Sequence, residues 1–185
     1  MTSSRAVSGR RQTRSEAAAP TSAVERRASE DALFVAGTLA AVAGLIHVKA
    51  MADHVGHYWL FGVLFGAVAC AQIGWGVWIW RRPVSDRTLI AGAGGTLGVV
   101  VVWLVSRTVG LPIGPWAGEA EAIGVSDAIA TLTELVLIAV AIAIVRPQGR
   151  VGVRFAWLSG GHAVRLGIAF GSAGVLAAAF GGHAH

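Results

Sequence analysis

Histidine and carboxylate are the side chains here with the most chemistry to offer, and they fall inside apolar stretches that ought to exclude them. His47, Met51 and His54 stand at i, i+4 and i+7, one stripe of a helix, and His57 follows three residues on. Asp127 and Glu134 are also seven residues apart, in a later apolar stretch. If these two stretches are antiparallel helices, His47 faces Glu134 and His54 faces Asp127. A rise of 1.5 Å per residue then sets two His–carboxylate levels about 10.5 Å apart.

Imidazole with carboxylate is a ligand set for copper, zinc or iron, and helical bundles build such sites from inward side chains on facing helices. The same groups can relay protons instead. The spacing matches neither HExxH nor paired ExxH, so the candidate set, His47, His54, His57, Asp127 and Glu134, rests on helix geometry alone. The plainer alternative puts His54 and His57 in a wet loop and ties His47 to a backbone carbonyl.

A second polar pair is suggested by depth. Glu134 and Arg165 each fall near the middle of their apolar segments, and an ionisable group there costs about 2.5–3.5 kcal/mol on the lenient insertion scale. A Glu134–Arg165 ion pair is therefore expected, with His162 as the other neighbour of Arg165. His162 and His47 fall at different depths, which disfavours a bis-histidine haem. The terminal His183 and His185 could hold copper or zinc loosely, and a frayed chain end explains them as well. No nucleophile motif, phosphate-binding glycine loop or cofactor fingerprint marks the chain as an enzyme.

The elements that position these groups are read from hydropathy. Of 185 residues, 55% are hydrophobic and 14% charged, and the mean hydropathy is +0.64. An ordinary soluble domain carries about 25% charged residues, so the composition implies an all-α integral membrane protein, a five-helix transmembrane bundle. The spans fall at about 32–52, 59–80, 89–105, 128–145 and 155–180, each near the ~20 residues that cross a bilayer. Residues 1–30 form a basic, disordered cytoplasmic tail, residues 31–181 the bundle, and residues 182–185 a flexible end. The first span has the shortest uninterrupted core, Ala32 to Ile46, and a cleaved signal segment is its alternative reading.

Orientation follows the arginines. Six lie within the first 27 residues; Arg81, Arg82 and Arg87 follow the second span, and Arg146, Arg150 and Arg154 the fourth. Positive charge stays in the cytoplasm, so the amino terminus is expected inside and the carboxyl terminus outside. The arginine-rich tail suits the anionic inner leaflet of a plasma membrane rather than nucleic acid, despite a pI near 11.0. The lone Cys70 excludes an intrachain disulfide.

Small residues repeat every fourth position in the second span (Gly62, Gly66, Cys70, Gly74), with Gly94 and Gly98 in the third and Ser159, Ala163, Gly167 and Gly171 in the fifth. Such stripes let helix backbones approach, either within the bundle or towards a membrane-protein partner or a second copy. Between the third and fourth spans, Ser106 to Trp116 is too rich in Gly and Pro to be helical. It reads as a lid that brings Arg107 near His54, His57, Asp127, Glu119 and Glu121, or as an interfacial anchor with Arg107 snorkelling to lipid phosphates.

The stretch from Trp103 to Pro115, followed by Glu119 or Glu121, Asp127 and Glu134, resembles a pattern in uncharacterised multi-pass membrane proteins of high-GC bacteria. The resemblance covers about the middle half of the chain and implies a bacterial plasma-membrane location. It carries no activity. Three functional readings therefore stand: metal binding or proton relay at the His–carboxylate cluster, a structural or assembly subunit with no site of its own, and, ranked last, a membrane enzyme using His–carboxylate acid–base chemistry.

Overall fold

The structure, a computed structural model, describes residues 6–145 and 162–181, with side chains described from Ser29 to Val145, at Arg165 and Ile168, and from Gly171 to Phe180. Five helices follow in order: α1 (Ala6–Val55), α2 (Trp59–Arg81), α3 (Asp86–Thr108), α4 (Val125–Val145) and α5 (His162–Gly181). Four helical stretches are long and apolar enough to cross a bilayer: Ser29–Val55 of α1 and the whole of α2, α3 and α4. Helices satisfy all their backbone hydrogen bonds internally, the condition for a chain in hydrocarbon. The chain is a multi-pass helical membrane protein.

These bounds agree to within a few residues with those expected from hydropathy. The helices run slightly longer because polar end residues complete the last turns. At the start of α3, Ser85 accepts from the Thr88 N–H and Asp86 lies in the positive first turn. The amino-terminal stretch read as a tail is continuous with α1, which begins at Ala6. Of the span expected at 155–180, residues 155–161 lie outside the described residues, as do the tail 182–185, Ser159 and the side chains of Ala163 and Gly167.

The stretch of α1 from Ala32 to His47 is the hub. It packs against α2, α4 and α5, and Ala36, Ala40, Ala43, Ile46 and His47 are all buried. The segment with the weakest sequence signal thus contributes more buried residues than any other described helix.

The α1–α2 contact differs in register from the stripe read in the sequence. Cβ atoms added at Gly62 and Gly76 would lie 2.8 Å from Val55 Cβ and 2.6 Å from the Gly37 carbonyl oxygen. On α1, Gly44 closes on Ile73 and the Ala69 carbonyl. The close approaches therefore pair Gly37 with Gly76 and Gly44 with Ala69, sites seven apart on each helix, with Met51 seven further along α1 meeting Gly66. Seven residues in two turns is the period of a left-handed coil, and two antiparallel helices keep one seam in contact by following it. A four-residue stripe drifts off that seam. Among the described residues Gly74 meets nothing within 4 Å, Cys70 is exposed, and Gly94 and Gly98 of α3 are open as well. The expected four-residue stripes of α2 and α3 are therefore not packing faces of this bundle, apart from Gly62 and Gly66.

α3 packs on α4 and scarcely touches α2. Their meeting point is at the connection between them, where the Trp75 indole N–H donates to the Thr88 carbonyl at 3.2 Å and the ring lies on Gly92. From there the two helices diverge towards the Val55 end of the bundle.

A candidate functional site

The divergence of α2 and α3 leaves a cavity of about 670 Å³ among α1, α2, α3 and α4 at the Val55 end. Leu64, Phe65 and Val68 of α2 form one wall and Gly95, Gly98, Val99 and Val102 of α3 the opposite one. Arg107, Glu121 and Asp127 line its mouth, and His47 and Glu134 its depth. Beyond them, Ala36, Ala40, Ile79, Leu89 and Leu137 form a closed apolar cluster. In this conformation the cavity is a pocket with one closed end.

Glu134 is 1% exposed. Its Oε1 accepts from Gln72 Nε2 at 2.7 Å and lies 3.8 Å from His47 Nε2. On the far side of the imidazole, His47 Nδ1 is 2.8 Å from the Ala43 carbonyl oxygen. A carbonyl can only accept, so Nδ1 carries a hydrogen, and Nε2 is the nitrogen that faces Glu134. In a neutral ring that nitrogen is a lone pair. A lone pair directed at a carboxylate oxygen is repulsive unless one of the two holds a further proton. At 3.8 Å, beyond hydrogen-bond range, that proton belongs to one partner at a time. Holding that proton, the pair is a neutral imidazole with a carboxylic acid or an imidazolium with a carboxylate, two forms of the same total charge; once it is released, the carboxylate keeps the Gln72 hydrogen bond.

The antiparallel reading brings together His47 and Glu134 and no more of the proposed ligand set. The Phe65 ring lies 5.9 Å from the His47 centroid and 4.9 Å from that of His54, so a hydrocarbon wall stands at the level between the two imidazoles. His54 Nδ1 donates to the Ala50 carbonyl at 2.8 Å, and the exposed His57 makes the same bond to Asp53 at 3.0 Å. Asp127, the expected partner of His54, is instead held by Arg107. Among the described residues no three His, Cys, Asp or Glu side chains converge where they could hold a metal ion.

The expected Glu134–Arg165 ion pair is not formed. Arg165 reaches Asp31 Oδ1 through Nε and Nη2, each at 2.9 Å, and its guanidinium lies 5.4 Å from the Phe34 ring centroid. The reason is depth. Asp31 marks the first turn of the apolar part of α1, so Arg165 sits at that end of the bundle, while Glu134 lies level with His47 and Gln72. Counting inward from Phe155 set Arg165 too deep.

Arg107 is enclosed rather than snorkelling, its side chain only 10% exposed. It donates through Nη1 to Glu121 and through Nη2 to Asp127 Oδ2 at 2.7 Å. The loop folds back to bring Glu121 there, with its N–H on the Ser106 carbonyl and Gly118 N–H on Leu111. Gly110, at φ +77°, has the Glu119 backbone against it, so no side chain fits that turn. Lys49 and Asp53 pair at 2.6 Å beside the same mouth.

Sequence reasoning missed Gln72 and Asp31. Both carried a usable signal: each is a polar residue in or beside an apolar span, where a side-chain amide or carboxylate needs a partner, and the available partners were Glu134 and Arg165. No family model, curated protein or solved structure matches the chain.

Proposed function

We propose that this protein binds and releases a proton at the buried His47–Glu134 pair, exchanging it with the cavity at the Val55 end of the bundle. The observation that carries the reading is the Nε2–Oε1 approach of 3.8 Å, with Nδ1 committed to Ala43 and Gln72 donating to the same carboxyl oxygen. Each neighbour has a role in the chemistry. The Ala43 carbonyl fixes the tautomer so that the basic nitrogen faces Glu134, and Gln72 stabilises the carboxylate left when the proton moves to His47. A polar cavity end can admit the two to four hydrogen-bonding contacts a water needs to carry the proton onward. The apolar cluster beyond keeps the exchange one-sided.

In this reading the chain crosses a bacterial plasma membrane five times, with its amino terminus in the cytoplasm. α5 is the fifth crossing: Arg165 pairs at the Ser29 end of α1, and Ala179 accepts from Ser126 at the opposite end. The arginine-rich tail then meets the anionic inner leaflet, and the cavity opens outward.

Infrared difference spectra of the protein in liposomes, taken as external pH is stepped, test the exchange. The carbonyl stretch of a protonated carboxyl should change with pH and vanish in Glu134→Gln, which is neutral and nearly the same size. A pH-silent carboxyl region, or a signal that persists in the variant, rejects the reading.

A further inference from the structure

The cavity holds more than the proton pair needs. Its walls along α2 and α3 are apolar, and Leu64, Gly95, Gly98 and Val102 are both wall residues and exposed. A molecule dissolved in the bilayer can therefore enter sideways between α2 and α3. At about 670 Å³ the space is in the range of small-molecule sites.

The polar groups near its mouth narrow the ligand's chemistry. Trp103 Nε1 and Arg107 Nε are buried and have no acceptor among the described residues, and both side chains line the cavity. They stand four residues apart on α3, on one face. Two unpartnered donors on the same wall call for an acceptor oxygen. The charge there argues against an anion: the lining holds Lys49 and Arg107 against Asp53, Glu121 and Asp127, two positive groups to three negative, before Glu134 is counted.

From this we infer that the cavity binds a neutral amphiphile from the bilayer, its carbonyl-bearing head at Trp103 and Arg107 and its apolar tail between α2 and α3. The inference goes beyond proton exchange and stands on different residues. A quinone and a lipid ester both present this chemistry, a carbonyl oxygen on an apolar tail.

The test is equilibrium binding to the full chain in nanodiscs, with decylubiquinone, dioctanoylglycerol, decanoate and undecane as probes. At least one of the first two should bind, and which one identifies the head. Decanoate and undecane should bind at least about tenfold more weakly. Gly98→Leu fills the cavity, and its Cβ meets nothing within 4 Å among the described residues, so the described fold has no clash to absorb at that atom. It should lower affinity about tenfold or more. Gly94→Leu, equally open but not part of the cavity wall, should leave affinity unchanged. Trp103→Phe keeps an aromatic side chain, though a smaller one, and removes the donor, for a loss of at least about fivefold, the equivalent of one net hydrogen bond near 1 kcal/mol. If neither carbonyl probe binds, if decanoate binds best, or if Gly98→Leu and Gly94→Leu behave alike, the inference fails. None of these results depends on Glu134.

Discussion

Alanine placed at Gly76 and at Gly74 should have opposite effects on stability, although the two substitutions are chemically identical and two residues apart on one helix. At Gly76 the new Cβ would lie 2.6 Å from the Gly37 carbonyl oxygen and 3.3 Å from the Ala41 nitrogen, both backbone atoms that cannot rotate away. Carbon and carbonyl oxygen settle at about 3.3–3.6 Å, so α1 and α2 must separate by roughly 0.7 Å at that level. A gap of 0.5–1 Å forfeits about a quarter to a half of each dispersion contact it spans, and overpacking of this kind costs about 1–3 kcal/mol. At Gly74 the Cβ meets nothing within 4 Å among the described residues, leaving only the helix-propensity gain of about 1 kcal/mol. That gain is common to both sites and cancels in the difference, so Gly76→Ala should be about 1–3 kcal/mol less stable than Gly74→Ala. Unfolding in mixed micelles, followed by tryptophan fluorescence against detergent composition, measures the difference. Equal stabilities, or a worse outcome at Gly74, would refute the seven-residue seam and restore the four-residue stripe.

The remaining predictions concern the charged groups and the topology. A double-mutant cycle of Asp31→Ala with Arg165→Ala should show coupling of about 1–3 kcal/mol, because the buried carboxylate loses a charge-assisted hydrogen bond, while Glu134→Ala and Arg165→Ala should be additive; coupling in the second cycle alone reverses the assignment. Arg107→Leu removes the link between Glu121 and Asp127, so a cysteine at Ala117, in a Cys70→Ala background, should react faster with a membrane-impermeant thiol reagent; an unchanged rate means the loop is held by its backbone bonds alone. Reporter fusions after Arg82 should read cytoplasm and those after Trp116 exterior, and the reverse pattern inverts the orientation.

Hydropathy was enough to place α2, α3 and α4, because a bilayer imposes one length on every span and the apolar runs here are bounded by Arg82, Arg107, Asp127 and Arg146. The facing of His47 and Glu134 was legible for a similar reason: antiparallel helices of known rise leave few ways to align two residues in depth. Helix rotation was not legible. Whether Gly74 or Gly76 meets α1 depends on a half-residue difference in period, 3.5 against 4, and composition carries both patterns. Nor does depth exclude an intervening side chain. Phe65 lies on a third helix, and its ring between His47 and His54 decides that the two histidines serve different neighbours. Arg165 was set too deep because its depth was counted from Phe155, and any offset in that origin shifts every depth counted from it.

The central claim is that His47 presents a basic Nε2 to Glu134, and nitrogen-15 magic-angle-spinning spectra of histidine-labelled protein in lipid test it most directly. The account predicts that the His47 signals, assigned by comparison with His47→Gln, show Nδ1 always protonated and Nε2 changing protonation with pH, and that Glu134→Gln alters this titration while leaving Nδ1 bonded to the Ala43 carbonyl. A bare Nδ1 with a fixed Nε2–H, or a His47 titration indifferent to Glu134→Gln, would contradict it.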